Sequence, residues 1–302
     1  MPLHLAPVSR RQFLRRSALG AASLLTLPAL RAVSGNGERW ALLSDTHIAS
    51  DPATIAREVN MAEHLRTAVA GVLALGAAPV GLIVNGDCSF DYGPYADYET
   101  FINLLQPLTR AGLPLHFTLG NHDERETFWS CLRDSRPAAP PLASRHVSVI
   151  EGARVNWFLL DSLEVTKQTP GQLGAEQRAW LAAALDARPG KPALVMVHHN
   201  PIPALPGKKS GLIDTEELLA ILLPRHQVKA LFFGHTHVWH LAEQDGLHLV
   251  NLPAVSYSFN KTELTGWIDC RLRDGGAALE IHASDASHPA HGKVTELAWR
   301  AA

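Results

Sequence analysis

The sequence predicts an α/β fold, because short apolar segments alternate along the chain with segments whose apolar residues recur at helical spacing. Five of the apolar segments have the length of a buried strand, and each is followed closely by a polar motif rich in Asp, Asn and His. These segments are residues 40–43, 80–84, 115–119, 193–197 and 230–233. In open α/β sheets, binding sites form at the carboxyl ends of the strands. We therefore expect the five polar motifs to converge at one edge.

The segments between these strands have the periodicity of amphipathic helices. The predicted helical segments are residues 55–72, 101–108, 174–187 and 214–223. In the last of them, Asp214 and Glu217 have the spacing of a capping box, which would place the start of the helix at Asp214. The helices are of ordinary length for a domain in which helices cover a sheet.

The C-terminal part of the chain changes to a strand-rich pattern. Strands are predicted at residues 247–252, 267–272 and 277–282, with hairpin turns at Asp245-Gly246 and Asp274-Gly275. The sequence predicts three parts in all: a signal segment at residues 1–32, one domain at residues 37–285 and a tail at residues 286–302.

The composition describes a globular protein that buries a core, with 46% hydrophobic and 19% charged residues. The first 32 residues carry five Arg and no acid, so the remainder has 22 basic and 29 acidic residues and a net charge of −7. A mildly acidic body argues against a nucleic-acid partner. The three cysteines are widely spaced and predict neither a disulfide framework nor a thiolate metal site.

The N-terminus reads as an export signal. Arg10 and Arg11 precede Phe13 and Leu14, and a 13-residue apolar run then covers residues 18–30, which is short for a membrane span. This pattern resembles the bacterial twin-arginine signal. The resemblance implies recognition by the twin-arginine export machinery, export in the folded state, a periplasmic or extracytoplasmic location and transient membrane association through this segment. Cleavage after Ala32 and an uncleaved, tethered form both remain open.

The five polar motifs supply the donors that divalent cations bind. They are Asp45-Thr46-His47, Gly86-Asp87, Gly120-Asn121-His122-Asp123, His198-His199 and Gly234-His235-Thr236-His237. Carboxylate, carboxamide and imidazole groups suit hard or borderline divalent metals. A carboxylate such as that of Asp87 can bridge two ions, and two ions roughly 3.5–4 Å apart can clamp a phosphoryl group. The glycines allow close backbone approach where strand becomes loop.

In this order the motifs resemble those of the calcineurin-like metallophosphoesterases, over roughly residues 39–256. Within that family they are most similar to the bacterial cyclic-nucleotide and glycerophosphodiester phosphodiesterases. The resemblance implies an α/β fold of the αββα type, in which two mixed sheets are packed together and flanked by helices. It also implies two divalent metal ions as cofactors, with iron, manganese or zinc as the candidates.

The resemblance assigns roles to single residues. It implies that Asp45, His47 and His237 hold the first metal, that Asn121, His198 and His235 hold the second, and that Asp87 bridges the two. His122 would be the catalytic residue beside the scissile ester, where it protonates the leaving oxygen or stabilises negative charge. A hydroxide bridging the metals would attack phosphorus in line.

The sequence departs from the family pattern after the bridging carboxylate. Many members have an Asp three residues later that orients the catalytic histidine, but here that position is Phe90 and Asp91 follows it. Asp91 is a candidate for the orienting role if the loop bulges. Asp123 is expected to accept hydrogen bonds that stabilise its loop, and His199 is expected to support the site without coordinating a metal.

These observations predict an exported binuclear metal-dependent phosphoesterase that acts on a small-molecule phosphate ester, with a phosphodiester favoured. An extracytoplasmic location fits scavenging of phosphate, or trimming of envelope diesters, better than control of an intracellular messenger. A phosphomonoesterase of the same fold and a non-catalytic metal-binding scaffold are the alternatives.

Overall fold

The computed structural model describes residues 38–133, 139–201 and 210–301. The predicted export signal at residues 1–32 lies outside these ranges. Among the helices within them, none combines the length and apolar character needed to cross a membrane.

The described ranges contain fourteen strands and five helices. The strands are β1 (Glu38–Ser44), β2 (Ile55–Ala56), β3 (Val59–Asn60), β4 (Gly81–Asn85), β5 (Leu115–Thr118), β6 (Ser148–Glu151), β7 (Asn156–Leu159), β8 (Ala193–Met196), β9 (Val228–Phe233), β10 (His240–Gln244), β11 (Leu247–Asn251), β12 (Gly266–Arg273), β13 (Gly276–Ala283) and β14 (Val294–Ala298). The helices are α1 (Met61–Leu73), α2 (Tyr95–Arg110), α3 (Arg125–Cys131), α4 (Gly174–Asp186) and α5 (Thr215–Leu222).

Two six-stranded sheets form the centre of the fold. The first sheet has the strand order β14-β13-β12-β1-β4-β5, and the second has the order β10-β11-β9-β8-β7-β6. Strands β1, β4 and β5 are parallel, as are β11, β9, β8 and β7, while β12, β13 and β14 in the first sheet and β6 and β10 in the second pair antiparallel. Both sheets are therefore mixed. The carboxyl ends of the parallel strands carry the five polar motifs.

The core has three apolar layers because alternate residues of a strand face opposite sides of its sheet. In β1, Trp40 and Leu42 face the second sheet and pack in one cluster with Trp157 and Phe232. Ala41 and Leu43 belong to the cluster on the other face, which includes buried residues of α1, α2 and α3. A third cluster joins the second sheet to α4 and α5. These layers confirm the predicted αββα sandwich.

The first predicted helix begins later than the sequence pattern indicated. Ile55 and Val59 lie in the β2–β3 hairpin, and α1 starts only at Met61. Asn60 caps this helix through a 2.9 Å hydrogen bond that its Oδ1 accepts from Glu63 N. The cap fixes the boundary, which apolar spacing alone placed six residues too early.

The predicted capping box at Asp214 is wrong. The Asp214 side chain caps no group of its own helix. It instead accepts hydrogen bonds from the backbone N–H groups of Leu173 and Gly174, at 3.1 and 2.9 Å, and pairs with Arg178. Asp214 thus satisfies orphan donors at the start of the neighbouring helix α4.

The strand-rich C-terminal part follows the predicted pattern, with β11, β12 and β13 in the predicted positions. Strand β14 comes after the boundary proposed at residue 285, and it pairs antiparallel with β13 at the edge of the first sheet. Trp299, just beyond this strand, packs against the apolar layer between the sheets.

Candidate metal centre

The five motifs converge at a single edge that both sheets share. Those after β1, β4 and β5 come from the first sheet, and those after β8 and β9 come from the second. Backbone hydrogen bonds hold the loops together, including His47 N to Asp87 O at 2.9 Å and Gly234 N to His198 O at 2.9 Å. The seven predicted ligands are buried, except that His235 is half-buried.

Asp45, His47 and His237 form a first cluster whose donor atoms all lie within 4.8 Å of one another. The Nε2 atoms of His47 and His237 are 3.2 Å apart, and His237 Nε2 is 3.4 Å from Asp45 Oδ1. The three donors therefore face a common point.

Asp87, His198 and His235 form a second cluster within the same distance limit. His198 Nε2 lies 3.3 Å from Asp87 Oδ2. Asn121 lies on the neighbouring loop, which His122 N ties to Asp87 Oδ1 at 2.8 Å. The Asn121 Oδ1 atom is buried without a hydrogen-bond partner. An orphaned amide oxygen is costly in a folded protein unless a cation or other donor satisfies it.

Asp87 lies between the two clusters. Its Oδ2 atom is 3.3 Å from His198 Nε2 in the second cluster and 3.5 Å from His47 Nε2 in the first. A carboxylate in this position can contribute to two cations at once.

The four imidazoles that face the clusters are oriented in the same way. One ring nitrogen of each contacts a backbone carbonyl, so this nitrogen carries a proton and the other ring nitrogen faces the cluster, where it could coordinate a cation. The pairs are His47 Nδ1 with Phe90 O (3.3 Å), His198 Nδ1 with Asn85 O (2.9 Å), His235 Nε2 with Ser210 O (2.8 Å) and His237 Nδ1 with Tyr257 O (2.5 Å).

The protonation states of His47 and Asp45 in the first cluster are those of metal ligands. Burial lowers the pKa of His47 to about 3, although Asp87 opposes the shift. Burial alone would raise the pKa of Asp45, but His237 and His198 hold it below its usual range. A neutral imidazole and an ionised carboxylate result at neutral pH. The Nε2 atoms of His47 and His237 face each other at 3.2 Å, where a divalent cation could bind to both.

In the second cluster, the pKa of His198 is shifted in the direction opposite to that of His47. Burial by itself lowers the pKa of His198, yet Asp87 and Asp45 raise it to about 10. A proton on His198 thus balances two buried carboxylates in the metal-free chain. A divalent cation would supply that positive charge instead, and the mixed nitrogen and oxygen donors fit iron, manganese or zinc.

The ligand backbones are strained. Five of the nine described non-glycine residues with positive φ are predicted ligands: Asp45 (52°), His47 (47°), Asp87 (49°), His235 (69°) and His237 (56°). Such conformations cost of order 1–3 kcal/mol each and concentrate at functional sites. Gly86 also has a positive φ of 70°, and a Cβ there would lie 2.5 Å from His198 Nδ1. The close approach of this loop to His198 therefore requires glycine.

His122 lies at the mouth of the site. Its side chain is 21% exposed, and its ring packs edge-on against His47 with a centroid distance of 4.8 Å. The Nδ1 atom is 3.5 Å from Asp91 Oδ1, and Asp91 also pairs with Lys167. The loop thus places Asp91 beside His122, whereas Phe90 contributes its backbone carbonyl to His47.

Asp123 and His199 lie outside the two clusters. The fully buried Asp123 accepts hydrogen bonds from Gly120 N at 2.9 Å and from Cys88 N at 3.1 Å, and so stabilises the loops that carry the ligands. Burial, with a further contribution from Asp87, raises the Asp123 pKa to about 6. His199 is buried, with Nδ1 2.7 Å from Ser162 Oγ.

Sequence reasoning missed Ser256 and Tyr257, which support the first cluster from the loop after β11. The Tyr257 ring stacks on His47 at 5.2 Å and 25°, and its carbonyl orients His237. The Ser256 hydroxyl donates to the backbone carbonyl of Asp45 at 2.6 Å. Two of these contacts use backbone carbonyls, which every residue has, so no residue type signals them.

Comparison with known proteins agrees with this geometry. The calcineurin-like phosphoesterase family matches residues 39–239. A cAMP/cGMP dual specificity phosphodiesterase of Mycobacterium tuberculosis is 27% identical over 241 residues, which cover 79% of this chain and 73% of that protein. A 3',5'-cyclic adenosine monophosphate phosphodiesterase of Pseudomonas aeruginosa is 29% identical over 244 residues, covering 80% and 84%.

Two solved structures share the fold. A dimetal phosphatase from Danio rerio superposes with a TM-score of 0.70 at 14% identity, over 88% of this chain and 100% of that one. A purple acid phosphatase from yellow lupin superposes with a TM-score of 0.64 at 11% identity, and the match covers 88% of this chain and 54% of that one. From the matched family, the phosphodiesterases similar in sequence and the clustered ligands, we conclude that this chain belongs to the calcineurin-like phosphoesterase family and is a metal-dependent phosphoric ester hydrolase.

Proposed function

We propose that this chain is a phosphodiesterase that uses two divalent cations to hydrolyse small phosphate diesters. The observation that carries the proposal is the position of Asp87 between two clusters of inward-facing donors. Asp45, His47 and His237 would hold one cation, and Asn121, His198 and His235 would hold the other, with Asp87 shared. When bound, the cations would acidify a water molecule and neutralise charge on the phosphoryl group.

The residues at the mouth of the site have a separate role. His122 is partly exposed beside the first cluster, so it can reach an ester oxygen that enters from solvent. In the proposed reaction it donates a proton to the leaving oxygen. The Asp91 carboxylate lies 3.5 Å from His122 Nδ1, and in the proposed reaction it would orient the ring through a charge interaction.

The preference for diesters is supported by the sequence relatives. Those with 27–29% identity are named as cyclic-nucleotide phosphodiesterases, and they match this chain over most of its length. The phosphatases that share the fold are only 11–14% identical to this chain, so they support the fold and not the substrate.

The proposal also places the enzyme outside the cytoplasm. Its support is the sequence of residues 1–32, in which paired arginines precede a short apolar run. The test is fractionation of cells that express the full chain, with Arg10→Lys and Arg11→Lys combined as the matched variant. We expect the wild-type protein in the periplasm and the double variant in the cytoplasm. Equal distribution of the two proteins would contradict the assignment.

The activity is tested with a panel of esters on the purified protein. Bis(4-nitrophenyl) phosphate, 3',5'-cAMP and glycerophosphocholine represent diesters, and 4-nitrophenyl phosphate represents monoesters. Each is incubated with manganese, iron or zinc supplied. We expect hydrolysis of at least one diester to exceed that of the monoester. A protein that cleaves only the monoester, or no ester with any of these metals, would overturn the proposal.

A further inference from the structure

A group of aromatic and cationic side chains borders the first cluster without belonging to it. The Phe259 ring stacks on His237, with a centroid distance of 4.4 Å and an interplanar angle of 30°, while 56% of the residue stays exposed. The Arg57 guanidinium carbon lies 4.8 Å from the Phe259 centroid and 5.6 Å from that of Tyr257. We call Arg57, Tyr257 and Phe259 the aromatic platform.

The platform is built from two segments that are remote in the sequence. Arg57 and Glu58 form the turn of the β2–β3 hairpin, and both have positive φ, as a tight hairpin turn requires. Glu58 pairs with Lys261 at 2.5 Å, which joins the hairpin to the loop that carries Phe259. An exposed ion pair adds little stability, but here it marks where the two segments meet.

The charge of Arg57 is available to a ligand. Across the part of the chain that the structure describes, no carboxylate forms an ion pair with it, and the residue is exposed. A guanidinium group is planar, so one of its faces can stack on an aromatic ring while the other stacks on a planar ligand. An exposed ring and an unpaired cation therefore occur together beside a site for anionic esters.

We propose that the aromatic platform binds the planar organic group of the phosphate ester, so that esters carrying a nucleobase or aryl ring are preferred over aliphatic ones. This inference rests on the proposed phosphodiesterase function and names the substrate class of that site. Phe259 and Arg57 are then specificity-determining residues, which stack on the organic group and leave the bond cleavage to the metal centre.

The test measures binding rather than turnover. Isothermal titration of the manganese-loaded protein compares AMP with ribose 5-phosphate, two monoesters that share phosphate and sugar and differ in the base. Since stacking on one aromatic residue favours a base by about tenfold or more, we expect AMP to bind at least tenfold more tightly. Phe259→Ala should remove this preference and leave the affinity for ribose 5-phosphate unchanged. Phe259→Tyr should retain the preference, and Arg57→Ala should reduce it.

Tyr95 provides a matched control, because it is an exposed aromatic residue on α2 outside the platform. Tyr95→Ala should alter neither affinity. Equal affinities of the wild-type protein for AMP and ribose 5-phosphate would overturn the inference. So would an equal loss of both affinities in Phe259→Ala, which would show that Phe259 only supports His237. If AMP binds more tightly than ribose 5-phosphate but no diester is hydrolysed, the inference about the aromatic platform is supported and the proposed phosphodiesterase function is wrong.

Discussion

His47 and His237 face each other through their Nε2 atoms at 3.2 Å, and each ring contacts a backbone carbonyl through its Nδ1 atom. Neither ring can rotate away from the other without losing that hydrogen bond. The pair is therefore arranged for a cation that sits between the two nitrogens, and this relationship leads to the first prediction.

Removal of metal by chelation should lower the thermal stability of the protein. A cation present at 100 times its dissociation constant stabilises the folded state by about 2.7 kcal/mol. For a chain of this size that corresponds to a shift in Tm of roughly 5–10 °C. Differential scanning calorimetry before and after chelation, and after manganese is restored, checks the shift. The His237→Ala protein should show a much smaller change in Tm on chelation. A wild-type Tm that is unchanged by chelation would contradict the prediction.

Asn121→Ala should lose activity while the protein stays folded. The change removes the buried Oδ1 atom that has no hydrogen-bond partner, so it removes a candidate metal-ligand atom without breaking a hydrogen bond of that oxygen. We expect the metal content to fall from two ions to about one per chain, and kcat/KM to fall about 100-fold. Elemental analysis and steady-state kinetics measure both.

Asn121→Asp is the control for this position, because it keeps an oxygen donor in the same place. It should retain two metal ions. An Asn121→Ala protein with full metal content and full activity would show that Asn121 is not a ligand.

Asp91→Ala should reduce kcat about tenfold and leave the metal content unchanged. The Asp91 carboxylate faces His122 Nδ1 at 3.5 Å, and its loss frees the ring to leave the reactive orientation. Steady-state kinetics should show the effect in kcat with little change in KM. The neighbouring variant Phe90→Leu, which keeps the carbonyl that orients His47, serves as control. Equal kinetics of the wild-type protein and Asp91→Ala would show that His122 needs no such support.

The metal-free protein should lose stability as the pH rises from about 6.5 to 10. Burial lowers the pKa of His198, but Asp87 and Asp45 outweigh it and raise this pKa to about 10 in the folded state, above the ordinary histidine value of about 6.5. A raised pKa contributes stability that is fully present below the unfolded-state value and is lost as the pH rises through the folded-state value. Metal binding displaces this proton, so the metal-loaded protein should lack the decline.

Urea unfolding of both forms at pH 6.5, 8 and 9.5 measures this difference. His198→Gln should flatten the curve of the metal-free protein between these pH values. Parallel curves for the metal-free and metal-loaded wild-type protein would contradict the role of the His198 proton.

The part of the fold that the sequence predicted is the part fixed by residue type and periodicity. The apolar strands β1, β4, β5, β8 and β9 are buried, so their composition identified them, and the motifs that follow them marked the site. The short hairpin β2–β3 and the largely exposed strands β10 and β14 carry no comparable apolar pattern.

The rest of the site depends on contacts that a sequence does not encode by residue type. Asp214 caps a neighbouring helix rather than its own, because the fold brings α4 beside it. The carbonyls of Phe90 and Tyr257 orient two histidines, although any residue could supply them. Phe259 reaches His237 through a loop whose path cannot be derived from spacing.

The division of the ligands between the two sheets sets an order of events during synthesis. Asp45, His47, Asp87 and Asn121 follow strands of the first sheet, while His198, His235 and His237 follow strands of the second. A nascent chain that has emerged through the loop after β5 holds three of the four proposed ligands of the first cation (Asp45, His47 and Asp87) and two of the four proposed ligands of the second (Asp87 and Asn121). The proposed ligand sets are completed only by His235 and His237, after β9, and only when the two sheets have docked. If these residues are the ligands, insertion of the metal ions is a late step in the maturation of this protein, which follows the docking of the two sheets.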